Sequence, residues 1–298
     1  MSTQARPLQG EPSADPALKP GIVWVASFPK SGNTWTRTFL HNLAKIQSGE
    51  DGDQDINRMG RFSTWEINKD WYRDVLGFEP SNDRRHEIAA ARPKVQELIA
   101  DTAGDLVFVK THHALVMDRG YPTINSAVTS GAIYIVRNPL DVAISYAHHM
   151  NASIDQAIEH MAMEDVETPG TDKATYEIYG SWSQHVFSWT RTPHRALHIM
   201  RYEDMVSQPE EAFGALARHL LLNPTPEELR EAIERSSFDK LRAQEQAKGF
   251  REKPKAADKF FREGRAGQWK EALTPEQVDR IVRDHGEQMQ RFGYLPLE

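Results

Sequence analysis

In WVASFPKSGNTWTRTFL, Trp24 to Leu40, an apolar strand breaks at Pro29, presents Lys30, Ser31 and Gly32, and turns into a helix whose Trp35, Phe39 and Leu43 fall on one stripe. A strand feeding a helix N-terminus gathers backbone N–H groups at the positive end of the helix dipole, which makes an anion site. Lys30 adds a cation, and Ser31 and Thr34 add hydroxyls. The loop of a nucleoside-triphosphate enzyme needs G-x-x-x-x-G-K-[ST], and Trp24 and Pro29 stand where its two glycines belong. On its own, the stretch is either an anion loop of another kind or an ordinary strand-to-helix turn.

Three more runs resemble the strand that opens it: LVFVKTH (106 to 112), AIYIVRN (132 to 138) and the weaker ALHIMRY (196 to 202), beside IVWVASF (22 to 28). Near-continuous apolarity bounded by turn residues predicts strands covered on both faces, as in a parallel sheet. Helical patterns lie between them. PLDVAISYAHHM begins with Pro139 at a helix-start position, as does PEEAFGALARHLLL with Pro209, while TPEELREAIERS and TPEQVDRIVRDHGEQM each open with a Thr cap, Pro and an acid. The alternation predicts an α/β fold, a central and mostly parallel sheet flanked by helices on both faces. Residues 21–298 are expected to form one domain behind a disordered leader, 1–20, carrying Pro7, Pro12, Pro16 and Pro20. Residues 48–90 and 248–273 fit neither period and are expected to be long loops forming the substrate mouth.

Composition narrows the function classes. A formal charge of -7 argues against general nucleic-acid binding but leaves a local basic pocket for a small anion open. With no cysteine, disulfides, thiolate nucleophiles and cysteine zinc sites all drop out, and a reducing, cytoplasmic setting fits. No apolar run approaches the roughly 18 residues of a membrane span.

The string FPKSGNTW, as a whole, resembles the 5'-phosphosulfate loop of the sulfotransferases that use 3'-phosphoadenosine 5'-phosphosulfate (PAPS), where the pattern is close to Y-P-K-[SA]-G-[TN]-T-W. The resemblance implies a P-loop-containing sulfotransferase-like fold, with Lys30, Ser31, Gly32, Asn33 and Thr34 holding the 5' end of the cofactor and Trp35 stacking on its purine. It extends through the chain. VFVKTHHAL matches the family's K-x-H-x-P except that Ala114 replaces Pro, which implies His112 as general base and Lys110 as a cation near the sulfuryl group. Strand alternation points His112 and His113 to opposite sides, so that one of them faces a pocket. YIVRNPLDVAISYAHHM matches the 3'-phosphate motif, which implies that Arg137 and Ser145 grip that phosphate, Arg through its planar fork of donors. Read alone, R-N-P-x-D is also a strand-end salt bridge with Asp141 capping the helix.

Near the C-terminus, FFREGRAGQWKEAL resembles the family's R-K-G-x-x-G-D-W-K-x-x-[LF], with Glu263 for Lys and Gln268 for Asp. Arg262 and the Gly264 backbone carry over as 3'-phosphate ligands, and residue 263 does not. RYEDM places Tyr202, and SSF places Ser236 and Phe238, where the family contacts adenine. The reaction implied is sulfuryl transfer to the hydroxyl of a small phenol or alcohol, with His112 as base, Lys30 on the bridging oxygen and no metal. Phe62, Trp65, Trp71, Tyr72 and Phe78 in one long stretch, and Phe250, Phe260 and Phe261 in the other, either line an apolar acceptor pocket or anchor the loops. No nucleic-acid or membrane partner is expected. The family's dimer motif K-x-x-x-T-V-x-x-x-E is broken in KEALTPEQVD by Pro275 and Asp279, so monomer and dimer both stay open. Two other readings compete: a small-molecule kinase using ATP and magnesium, with Asp204 as its weak metal candidate, and a non-catalytic nucleotide binder.

Overall fold

The computed structural model describes residues 20–253 and 258–296. The leader expected over 1–20 lies, apart from Pro20, outside the described residues. Strand β1, Gly21–Ser27, is buried along its whole length. Its alternate residues serve two cores: Ile22, Trp24 and Ala26 pack with Tyr134, Trp182 and Trp189 on one face, and Val23 and Val25 with Phe39, Leu43 and Phe213 on the other. That is the two-sided burial the apolar run predicts. Trp24, in the register of a missing glycine, is a core strand residue whose Nε1 donates to Thr129 Oγ1 at 2.9 Å.

The other strands are β2 Ser63–Trp65, β3 Leu106–Thr111, the two-residue β4 Met117–Asp118 and β5 Tyr121–Pro122, β6 Thr129–Val136 and β7 Leu197–Arg201. The main sheet runs β2-β3-β1-β6-β7, and all its pairings are parallel. All four expected strands are present. β2 departs from the reading of 48–90 as a loop, because three residues are too few to display a period.

Twelve helices connect the strands of the described residues: α1 Asn33–Gln47, α2 Lys69–Leu76, α3 Arg85–Ala103, α4 Pro139–Met150, α5 Ile154–Ala162, α6 Trp182–Thr190, α7 Tyr202–Ser207, α8 Pro209–His219, α9 Pro226–Arg235, α10 Phe238–Lys248, α11 Trp269–Ala272 and α12 Pro275–Phe292. Thr225 and Thr274 cap α9 and α12 in capping boxes, as their Thr-Pro-Glu openings predict. Residues 48–90 are thus not one loop: α2 and the start of α3 occupy them too. The apolar stripe of α3 is interrupted in sequence by Pro93 and by Arg92 and Gln96, polar residues that are nonetheless buried. Arg92 pairs with Asp118 at 2.9 Å, and Gln96 Nε2 donates to the Thr123 carbonyl at 2.8 Å. Among the described residues no helix is long and apolar enough to cross a membrane.

With every strand of the main sheet parallel, their carboxyl ends share one edge. β1 delivers Lys30 there, β3 delivers His112, β6 delivers Arg137 and β7 delivers Tyr202. Open α/β sheets bind ligands at that edge.

Candidate active site

A cavity of about 420 Å³ opens at these strand ends, lined by Lys30, Gly32, Asn33, Thr34, Trp35, Lys110, His112, Arg137, Ser145, Tyr202, Phe238, Arg262 and Gly264 along with further residues introduced below. Lys30 has φ 67, a left-handed conformation that a residue with a side chain adopts at a cost of about 1–2 kcal/mol. Gly32 follows with φ 110 at the helix cap, and a Cβ there would stand 2.9 Å from the Tyr202 ring. Burial, then the neighbouring Arg137 and Lys110, push the Lys30 ammonium down to about 7. Its Nζ rests 3.9 Å from the centre of the Phe260 ring. So many converging cations describe a site built for an anion.

Asn33 holds the loop from inside. Its Nδ2 donates to the Val25 carbonyl at 2.8 Å and its Oδ1 accepts from Arg37 Nε at 2.9 Å. Ser31 is fully buried with its Oγ unpartnered, and Trp35 Nε1 and Arg137 Nε are likewise buried without a partner. Buried polar groups are nearly always paired, so orphans on two residues of one cavity wall, Trp35 and Arg137, and on Ser31 between lining residues Lys30 and Gly32, fit a polar ligand.

His112 follows the last residue of β3. Its Nδ1 lies 2.7 Å from the Ser27 carbonyl oxygen, which has no proton to give. Nδ1 must therefore carry the proton, leaving Nε2 with a free lone pair. Burial and the nearby Lys110 hold the imidazole well below its usual value, so it is neutral at working pH. His113 points the other way, fully buried, with Nδ1 accepting from the Ile178 N–H at 3.0 Å. Only His112 of the two lines the cavity, as alternation requires.

The far end is assembled from α4 and the C-terminal stretch. Arg137 lies over the Tyr202 ring at 4.1 Å and donates from Nη1 to the Lys30 carbonyl at 2.9 Å. Arg262 Nη2 donates to Gln268 Oε1 at 2.8 Å, and its Nη1 lies 3.1 Å from His148 Nε2. Gly264, at φ 65, presses on Phe238 so closely that a Cβ would sit 2.3 Å from the ring. Asn138, not Asp141, caps α4, its side chain accepting from the Leu140 N–H. Asp141 instead accepts from the backbone N–H groups of Gly267 and Trp269 at 2.6 and 3.0 Å. Glu245 of α10 does the same for Phe260 and Phe261 at 2.7 and 2.8 Å. Carboxylates thus hold in place a segment that has no strand ladder to do so.

A family model described as the sulfotransferase domain matches residues 20–293. The chain belongs to the sulfotransferase domain family. Among its relatives, sulfotransferase 1B1 of Canis lupus familiaris is 29% identical over 271 residues, 88% of this chain and 81% of that protein. Flavonol 3-sulfotransferase of Flaveria bidentis is 24% identical over 308 residues, 97% of this chain and 88% of its own length. Of solved structures, retinol dehydratase in a complex with retinol and PAP aligns over 92% of this chain and 82% of its own at TM-score 0.63 and 19% identity. Mouse sulfotransferase SULT7A1 complexed with PAP aligns over 92% and 86% at TM-score 0.60 and 19% identity. These structures establish the shared fold.

The sulfotransferase works by PAPS-dependent sulfuryl transfer, and the kinase reading is not favoured. Asp204, the carboxylate that reading would need for magnesium, faces Arg201 at 3.7 Å on the surface and does not line the cavity. Of the thirteen nucleotide-contacting candidates that the family resemblance implies, Ser31 and Ser236 are absent from the cavity wall. Ser236 is fully buried and donates to the Ala232 carbonyl at 2.6 Å, closing its own helix. Of the long-stretch aromatics, Trp65, Phe260 and Phe261 line the cavity. Trp71 and Tyr72 belong to a core, and Phe62 stacks on His41 and Phe108. Glu263 stands at the cavity rim and pairs with Arg265 at 2.8 Å.

A third wall is not foreseen by the motifs. Thr168, Pro169, Thr175, Glu177 and Tyr179, between α5 and α6, line the cavity. Glu177 Oε1 accepts from the His112 N–H at 3.0 Å and Oε2 from the Tyr179 hydroxyl at 3.2 Å. The signal was a period of two in TYEIY: Thr175, Glu177 and Tyr179 face the cavity while Tyr176 and Ile178 pack in the core. Glu252 lines the cavity as well, and no sequence pattern marks it.

Proposed function

We propose that this sulfotransferase transfers a sulfuryl group from PAPS to the hydroxyl of a small, largely apolar acceptor, with His112 as general base. The observation that carries this reading is the Nδ1 contact of His112 with the Ser27 carbonyl at 2.7 Å. It commits the proton to the protein side and leaves Nε2 as a base within a cavity that also holds Lys30 and Lys110.

The residues present fit the donor. Ser31, Trp35 and Arg137 each offer an unpartnered donor group in or beside the cavity. The 5' end would be held by Lys30, Thr34 and the amides that open α1. The 3'-phosphate would be held by Arg137, Ser145, Arg262 and the Gly264 backbone, and the adenine by Trp35, Tyr202 and Phe238. When bound, PAPS supplies an activated sulfuryl whose sulfur–oxygen bond to phosphate breaks as the acceptor oxygen bonds to sulfur, the electron pair staying on the phosphate. His112 Nε2 takes the acceptor's hydroxyl proton. Lys30 offsets the charge left on the phosphate oxygen, and Lys110 faces the sulfuryl oxygens. Trp65, Ile67, Pro169, Ala174, Tyr179, Phe260 and Phe261 would enclose the acceptor, an apolar wall with few polar groups.

Calorimetry with adenosine 3',5'-bisphosphate (PAP) against ATP-magnesium, followed by radiolabelled sulfate transfer to a panel of phenols and alcohols, tests the reading. PAP is expected to bind tightly and at least one hydroxyl acceptor to be labelled. Preference for ATP-magnesium would overturn the donor, and PAP binding without transfer to any acceptor would reduce the chain to a nucleotide binder.

A further inference from the structure

The carboxylates that tie down the irregular C-terminal stretch are not equivalent. Glu245 and Asp141 bind backbone amides. Glu252 binds charged side chains: Oε1 and Oε2 accept from Arg37 Nη1 and Nη2 at 3.0 and 2.8 Å, and Oε2 also accepts from Lys110 Nζ at 3.3 Å. Arg37 is 1% exposed, braced by Asn33 Oδ1 at 2.9 Å, and does not line the cavity. Its two-pronged grip therefore sets where the Glu252 carboxylate stands. Lys110 does line the cavity. In the free protein, the cation assigned to the sulfuryl group already has a counter-ion, supplied by the chain itself.

We propose that Glu252 is a specificity-determining residue that holds Lys110 in place of the sulfuryl group and so narrows the preference for the sulfated donor over its desulfated product. The inference rests on the sulfotransferase reading of the cavity. Lys110 carries one positive charge, and a second anion brought to it must share it with Glu252 or displace Glu252. In a partly buried cavity that repulsion is weakly screened. PAP has no sulfuryl group and leaves the Glu252–Lys110 pair intact. Burial alone would raise the Glu252 carboxyl, but Arg37 and Lys110 hold it down at about 2, so it stays an anion throughout the working range. After transfer the pair re-forms, and the cation is neutralised again in the product complex.

The test is calorimetry on the full chain, with PAPS in the absence of acceptor and with PAP, for the wild type, Glu252→Gln, Lys110→Met and the double variant. Glu252→Gln is expected to shift the PAPS-to-PAP affinity ratio toward PAPS by roughly tenfold, the order of one charge contact at a dielectric between those of water and a protein surface, with Arg37 offsetting part of the Glu252 charge. In the Lys110→Met background the same substitution is expected to move that ratio by less than about twofold, because the two residues act through each other. Glu252→Asp keeps a charge for Arg37 while withdrawing the carboxylate by one methylene, and is expected to shift the ratio in the same direction, which covers a Gln variant that does not fold. An unchanged ratio in the folded variant, or an equal shift with and without Lys110, overturns the inference and leaves the donor reading standing. If neither nucleotide binds the wild type, the donor reading fails and this inference fails with it.

Discussion

His112 and His113 are adjacent and alike in type, and they face opposite sides because a strand end alternates. His112 reaches the cavity with its tautomer set by the Ser27 carbonyl. His113 is fully buried and accepts the Ile178 N–H, which anchors the wall segment from inside. His112→Ala is therefore expected to lower kcat by at least about 100-fold, the lower end of general acid-base contributions, with PAP affinity unchanged within twofold. His113→Ala is expected to act on stability, leaving a buried N–H unpaired at a cost of about 1–3 kcal/mol, and to lower the melting temperature. An equal loss of kcat from His113→Ala at unchanged melting temperature would reverse the assignment. Gly264 is a second residue with no substitute, since it combines φ 65 with a 2.3 Å approach of any Cβ to Phe238. Gly264→Ala is expected to weaken PAP binding by about tenfold or more, from the clash with the Phe238 ring and the left-handed backbone penalty together. Binding titrations of Gly264→Ala against the wild type check this, and a PAP affinity within twofold of the wild type would overturn it.

The irregular stretch after α10 is positioned by carboxylates from helices and not by a ladder. Asp141 sits in the first turn of α4 and takes two backbone amides from residues 267 and 269, just beyond Arg262 and Gly264. Its removal leaves both amides without their acceptor. Asp141→Ala is expected to weaken PAP by roughly tenfold, because both amides are only partly buried and water offsets most of the ~1–3 kcal/mol that each would cost if fully buried. Because the proposed loss falls on the 3'-phosphate side, affinity for adenosine 5'-phosphate, which lacks that phosphate, should change by less than about threefold. Equal weakening of both nucleotides would mean that Asp141 supports the site as a whole.

Across the molecule, the carboxyl ends of parallel strands bring cations together from positions 30, 110 and 137, and the C-terminal stretch adds position 262. Burial, Arg137 and Lys110 lower Lys30 to about 7 in the free protein. A bound anion favours the ammonium, so the Lys30 pKa is higher in the complex than in the free chain, and binding takes up protons above about pH 7. With this sign, PAP affinity falls as pH rises through and above about 7 and is insensitive to Lys30 below it. The nucleotide phosphates, with a second pKa near ~6, are already dianionic there. Calorimetry at pH 8 in two buffers of different ionisation enthalpy should reveal proton uptake, and Lys30→Met should abolish it. Uptake that persists in Lys30→Met would place the titration on another group.

The linear order of residues was enough for four of the five strands of the main sheet and for the anion loop. The apolar runs at 22–28, 106–112 and 132–138 are long enough to show two-sided burial, and the Pro29-Lys30-Ser31-Gly32 turn must present amides and a cation wherever it folds. β2 and α3 escaped because three residues carry no period, and because Arg92 and Gln96 are buried through partners distant in sequence. Only packing could decide that Ser236 bonds within its own helix, that Asp141 clamps residues 267 and 269, and that Glu252 meets Arg37 and Lys110. Periodicity records which way a side chain points from its own element. Ion pairs between residues more than a hundred positions apart depend on which elements become neighbours, and that is settled when the chain closes around the strand ends.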